Sequence, residues 1–95
     1  MKPRITINTN NDRELEIWLN PAGRDLLVRE LQRLSEGSDH FHFGSSDLDG
    51  EVPVQSTAYR ENDKVIEWGK VMFRPDEWDA EHFSHVLTSG AGNGS

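Results

Sequence analysis

Two histidines separated by one residue, His40 and His42, are the side chains in this sequence best spaced for chemistry. The two-residue period of a β-strand would put both imidazoles on one face, close enough to share a metal ion or relay a proton. A metal site needs further ligands. Asp39 and Glu51 have the right chemistry, as do His82 and His85, which are three apart and would be neighbours on a helix. Without a third ligand the pair reads as surface or sheet-edge histidines alternating with Phe41 and Phe43.

The acidic run Asp47-Leu48-Asp49-Gly50-Glu51 has the centre of a calcium loop. The first and the closing ligand positions, however, would fall on Ser45 and Ser56, so a tight acidic turn is the better account. Ser45 and Ser46 stand close to His42 in sequence but carry no nucleophile elbow, which argues against a hydrolase. The glycines form neither a dinucleotide fingerprint nor a P-loop. The sequence therefore implies no cofactor and no catalytic residue.

These groups must be positioned by a small fold. A chain of 95 residues is expected to make one domain around one core, and without cysteine it has no disulfide framework, no thiolate nucleophile and no cysteine-ligated zinc. Only 34% of residues are hydrophobic, but they recur in periodic runs, which favours folding over disorder. The opening residues lack the apolar stretch of a signal peptide and no segment is long enough to span a membrane, so a cytoplasmic location is the default expectation. Seventeen acidic residues against ten Lys and Arg give a net charge of −7, which disfavours nucleic-acid and anionic-membrane partners. No Lys or Arg lies between Arg33 and Arg60, where Glu36, Asp39, Asp47, Asp49 and Glu51 fall, and none follows Arg74, where Asp76, Glu77, Asp79 and Glu81 surround Trp78. Such stretches either keep the surface solvated or present a negative face with aromatic anchors.

The fold expected is α+β: a mainly antiparallel sheet of about five strands in ββαβββ order, with one amphipathic helix on one face. Ile5 and Ile7, then Leu15, Ile17 and Leu19, alternate with polar neighbours as two strands joined by a hairpin turn at residues 10–12. Asn20 and Pro21 supply an N-cap and a first-turn proline for a helix over residues 21–36, with Leu27, Leu31 and Leu34 as its buried stripe and Gly37 as its C′ residue. Gly23 costs a helix stability, and close approach to the sheet is the expected reason. Residues 39–43 read as a strand with its phenylalanines inward, and residues 45–53 as an exposed loop. Residues 54–60 and 64–73 read as a second hairpin. The apolar phase of its second strand is ambiguous, consistent with a bulge near Gly69 or with burial on both faces. A short helix over residues 76–83 is predicted, then a flexible tail over residues 89–95, leaving a domain of residues 1–88. Trp18 is out of phase with Leu15, Ile17 and Leu19, so it belongs on the sheet face away from the helix, either as an exposed partner anchor or in a small cluster with Trp68.

The run ELEIWLN leading into PAGRDLLVRELQRL, then SEGSDHFHF, an acidic glycine loop and a long final strand, resembles the immunity protein family numbered thirty-two over residues 13–74. The resemblance implies a bacterial antidote of a polymorphic toxin system, an α+β protein that binds and neutralises a cognate toxin by stoichiometric occlusion and is not an enzyme. It assigns no catalytic residues. On that reading the partner-binding residues are Asp47, Asp49 and Glu51 in the loop, His40 and His42 beside it, and Trp18 as aromatic anchor, with a basic toxin suited to the charge. Two other classes compete: a small histidine-based metal-binding protein or metal-dependent enzyme, and a structural homo-oligomer built through sheet edges.

Overall fold

The computed structural model describes residues 1–45 and 48–88. The expected flexible tail, residues 89–95, lies outside the described residues, as do Ser46 and Asp47. The elements are β1 (Ile5–Thr9), β2 (Leu15–Leu19), α1 (Pro21–Gln32), β3 (His40–Gly44), β4 (Val52–Pro53), β5 (Lys64–Val65), β6 (Trp68–Met72), α2 (Asp76–His82) and α3 (His85–Thr88). The class is α+β, with six strands divided between two three-stranded sheets ordered β2-β1-β5 and β4-β3-β6. Every strand pair is antiparallel except β3 with β4. No helix among the described residues is long and apolar enough to cross a membrane.

The amino-terminal hairpin and the start of the helix form where the sequence pattern places them, but the burial departs from it: β1 is buried on both faces, while Leu15, Ile17 and Leu19 of β2 and Leu31 of the expected helix stripe are exposed. Asn10 shapes the turn: its Oδ1 accepts from the backbone N–H groups of Asp12 and Glu14, and Arg13 takes a left-handed φ of 64°. At the other end of β2, Asn20 caps α1 by accepting from the Gly23 N–H at 2.7 Å. The same oxygen accepts from the Arg4 N–H at 2.9 Å, and its amide donates to the Lys2 carbonyl at 3.0 Å. The start of β1, the end of β2 and the first turn of α1 are thereby tied at one buried side chain. A Cβ on Gly23 would sit 2.6 Å from the Arg4 carbonyl oxygen and 2.9 Å from Ile5, which confirms the close approach. The helix is shorter than its leucine period suggests. It closes with the Arg33 N–H donating to the Arg29 and Glu30 carbonyls. Gly37 is therefore not its C′ residue but lies in a turn bridged by Ser35 and Ser38.

One core joins both sheets. Ile5, Ile7, Phe41, Val52 and Val54 are buried together, and Leu26, Leu27, Leu34, Phe43, Ile66 and Val71 pack against them. Phe41 is 1% exposed, a burial that stabilises by about 2–3 kcal/mol.

Three expectations for the second half are corrected. Residues 45–53 are not wholly an exposed loop: Val52 is buried and pairs with Phe43 in parallel. Gly50 makes this possible, because a Cβ there would come within 2.5 Å of the Gly44 nitrogen and 2.7 Å of the Phe43 carbonyl carbon. Residues 54–60 are not a strand, so there is no second hairpin. The Val54 N–H bonds Gly44 at the end of β3, the next N–H, of Gln55, bonds Ile5 on β1, and the segment then runs over the polar face of the first sheet. The long final strand is broken at Ile66 and Glu67, not bulged at Gly69. Lys64 and Val65 pair with β1, and residues 68–72 pair with β3, so the apolar phase changes because the chain changes sheet. Gly69 gives room to the Phe43 ring, whose Cζ lies 2.5 Å from where a Cβ would stand.

Gly23→Ala is expected to cost about 1–3 kcal/mol through overpacking, more than the ~1 kcal/mol alanine gains as a helix former. Gly37→Ala, which meets nothing within 4 Å, should stay within about 0.5 kcal/mol of the parent. Urea titrations of the two variants measure the difference.

Candidate functional site

The register of β3 against β6 sorts the aromatic strand into two faces. Phe41 opposes Val71 and Phe43 opposes Gly69 on the core side, while His40 opposes Met72, His42 opposes Lys70 and Gly44 opposes Trp68. His40 and His42 thus share the outer face, as their spacing requires, with ring centroids 5.1 Å apart and edge-on. His42 stacks on the exposed Trp68 ring at 4.9 Å and 18°. Lys70 and Met72 complete the face. The sequence shows that Trp68 and Met72 share a phase, but not that their strand lies beside β3. That missing neighbour is why these residues escape a reading by spacing alone.

Two carboxylates rim the face. Asp39 Oδ1 lies 2.8 Å from His40 Nδ1, and its Oδ2 accepts from Arg74 at 3.0 Å. The His40 hydrogen bond, followed by Arg74, holds the Asp39 carboxyl below its ordinary pKa. Glu51 accepts from the His42 backbone N–H at 2.7 Å, and that bond is the main cause of its lowered pKa. Its Oε1 is also 3.8 Å from His42 Nδ1. Glu51 reaches the strand because Gly50 packs directly on the backbone of residues 42–44. Of the sequence-derived partner residues, the structure brings His40, His42 and Glu51 together, and Asp49 is exposed in the chain just before Gly50. Asp47 lies outside the described residues.

The strip continues past Asp39. Arg74 lies over the Trp78 ring at 4.3 Å, and Glu36, Asp39, Arg74, Glu77, Trp78 and Glu81 line an open cleft of about 360 Å³. A continuous path of contacts thus runs from Trp68 through His42, His40, Asp39 and Arg74 to Trp78. It connects the two lysine-free acidic stretches of the sequence.

Compared with known family models, curated proteins and solved structures, the chain matches none.

Function therefore rests on this geometry. Among the described residues no three His, Cys, Asp or Glu side chains are grouped to hold a metal ion. His82 packs on Trp78 and His85 edges Phe83, so neither joins the β3 pair. The outer face of the second sheet is open, with imidazole and indole rings bordered by carboxylates, a surface suited to covering another macromolecule.

Trp18 lies elsewhere. It is on the face of the first sheet away from α1, as its phase predicts, and opposes Thr6. Its cluster is not with Trp68. Tyr59 stacks on it at 4.2 Å, Arg60 lies 5.2 Å from the ring centroid and bonds Glu16, and the indole N–H donates to Asn8 Oδ1 at 2.7 Å. Asn8 is fully buried and also donates to Glu16. Tyr59, not the indole, is the exposed ring of this stack.

Two measurements follow. Asn8→Ala removes the acceptor of a half-buried indole and should cost about 1–3 kcal/mol, read by urea titration, with a shift in Trp18 fluorescence. Asp39 and Glu51 have folded-state pKa values below their unfolded ones, so their stabilisation is present above the unfolded carboxylate range and is lost as pH falls through the folded values. Asp39→Asn and Glu51→Gln should each flatten the acid limb of the stability curve and leave its slope above neutrality unchanged, as thermal melts across pH would record.

Proposed function

We propose that this chain is an immunity-type protein that binds and neutralises a cognate, basic toxin by stoichiometric occlusion. The observation that carries the reading is the continuous strip from Trp68 to Trp78. It joins the exposed Trp68 ring and, at its far end, the half-buried Trp78, ring types that act as anchors in protein interfaces, to carboxylates whose negative field attracts a basic partner. The net charge of −7 extends that field beyond contact distance and would raise the association rate at low salt. The immunity class itself is taken from the resemblance of the ELEIWLN–PAG and DHFHF segments to immunity proteins, to which the family models add no match. A strand face serves occlusion well, since its side chains are fixed by the ladder behind them and little ordering entropy is lost on binding.

The test is affinity capture at low and high salt, followed by co-expression of the captured partner with and without this chain. A single near-stoichiometric basic partner whose toxicity is suppressed by co-expression is the expected result. Asp49→Ala with Glu51→Ala should weaken that complex roughly tenfold at low salt, with a smaller loss at high salt. Unchanged affinity and unchanged salt dependence in the double variant would remove the acidic rim from the mechanism. Failure of the chain to suppress its partner's activity would end the immunity reading.

A further inference from the structure

Strand β2 is one of the two outer strands of the first sheet, and among the described residues it leaves apolar side chains and backbone groups uncovered at the same three residues. Leu15, Ile17 and Leu19 are 58%, 49% and 41% exposed, although they lie on the helix side of the sheet, opposite Thr9, Ile7 and Ile5. A cavity of about 200 Å³ bounded by α1 and both sheets is lined only by apolar side chains, Ile17 and Leu31 among them. Leu31 and Val28 on α1 are themselves exposed. The core is unfinished along this edge.

The hydrogen-bond phase of the hairpin shows where the backbone of β2 points. The Asn20 N–H donates to the Arg4 carbonyl and the Asn10 N–H to the Glu14 carbonyl, both at 3.1 Å. Bonded pairs alternate along an antiparallel ladder, so the residues bonded to β1 are the even-numbered ones. The N–H and C=O groups of Leu15, Ile17 and Leu19 therefore face away from β1, and among the described residues none bonds them. The Ile66 N–H bond to the Ile7 carbonyl fixes the same phase on the other side of β1.

We propose that a second copy of this chain covers the edge, with the two β2 strands pairing antiparallel about a twofold axis through Ile17. In that register Ile17 opposes Ile17 of the second copy and Leu15 opposes Leu19, so all three outward-facing residues exchange ladder bonds. Glu16 opposes Trp18 and Glu14 opposes Asn20, so no like charges meet across the junction. Moving the axis to Glu16 would set Glu16 against itself and leave Leu19 without a leucine opposite. Moving it to Trp18 would set Leu15 against Pro21, which has no N–H to donate. The twofold puts both α1 helices on one side of the joined sheet, where Val28 and Leu31 of each copy close over the open end of the cavity. The five exposed side chains contribute on the order of 400 Å² of apolar surface, about half of the ~800 Å² each partner gives to a standard interface. The strand backbone and the flank of α1 supply the rest. This surface is separate from the His40 and His42 face, so the pairing stands or falls independently of the toxin reading.

The purified full chain tests the pairing without any partner. Sedimentation equilibrium should show the 10.8 kDa chain converting to twice that mass as concentration rises. Because both copies are acidic, association should tighten several-fold at high salt, opposite to binding of a basic partner. The chain has no cysteine, so Ile17→Cys should form a disulfide-linked dimer under mild oxidation: bonded antiparallel pairs place Cα atoms about 5.5 Å apart, within disulfide reach. Leu15→Cys, about 14 Å from its own copy, should not. Leu15→Lys should weaken association at least tenfold with an unchanged circular dichroism spectrum. A monomer mass at every concentration and salt, or equal crosslinking of the two cysteine variants, would overturn the proposal. Protection of the Leu15, Ile17 and Leu19 amides only on addition of a captured partner would likewise overturn it, by assigning the edge to a foreign strand.

Discussion

The amide of Asn20 ties together three pieces of chain at one buried point. Its oxygen receives the Gly23 N–H in the first turn of α1 and the N–H of Arg4 ahead of β1, while its nitrogen donates back to Lys2. A buried amide is stable only when its hydrogen-bonding groups are satisfied, so the helix must leave β2 at the angle these partners impose. That angle presses the first turn of α1 onto the sheet and leaves no room for a side chain at residue 23. It also aims Leu26 and Leu27 at the core shared with Phe41 and Val52. The tilt of the helix, and with it the opening between Leu31 and Ile17, descends from this one junction.

The second half of the molecule is governed by a different economy of backbone bonds. With 54–60 running across the first sheet instead of joining a ladder, each sheet takes only a fragment of residues 64–72 as its third strand. The divided strand aligns Trp68, Lys70 and Met72 with the histidines. The candidate surface is therefore a product of long-range pairing, whereas the hairpin and helix that support the fold arise from neighbours in sequence.

This division explains what could be read from the residues alone. The strand around Ile5 and Ile7, the Asn20-Pro21 start of α1, the two faces of residues 40–43 and the placement of Trp18 are local signals, and each is realised, although Thr6 and Asn8 are as buried as the isoleucines beside them. The leucine period carried through Leu34 overstated α1, because Leu34 packs on the core from beyond the helix end. The β-rich composition of residues 54–60 suggested a strand, but successive N–H groups there bond different sheets, which no periodicity encodes. Residues 64–73 carried a true signal in two incompatible phases, and the site residues His42 and Trp68 are 26 positions apart, so only the folded register could join them.

The strand break at Ile66 and Glu67 has a mechanical side. Two successive residues are bonded to different sheets: the Ile66 N–H donates to Ile7 at 2.7 Å, and the Glu67 carbonyl accepts from Ser45 at 2.9 Å. Sliding one sheet past the other by a single residue step, about 3.4 Å, would break one or both. The junction thus acts as a rivet across the seam, and force applied to the histidine face is borne by β1 as well as by β3.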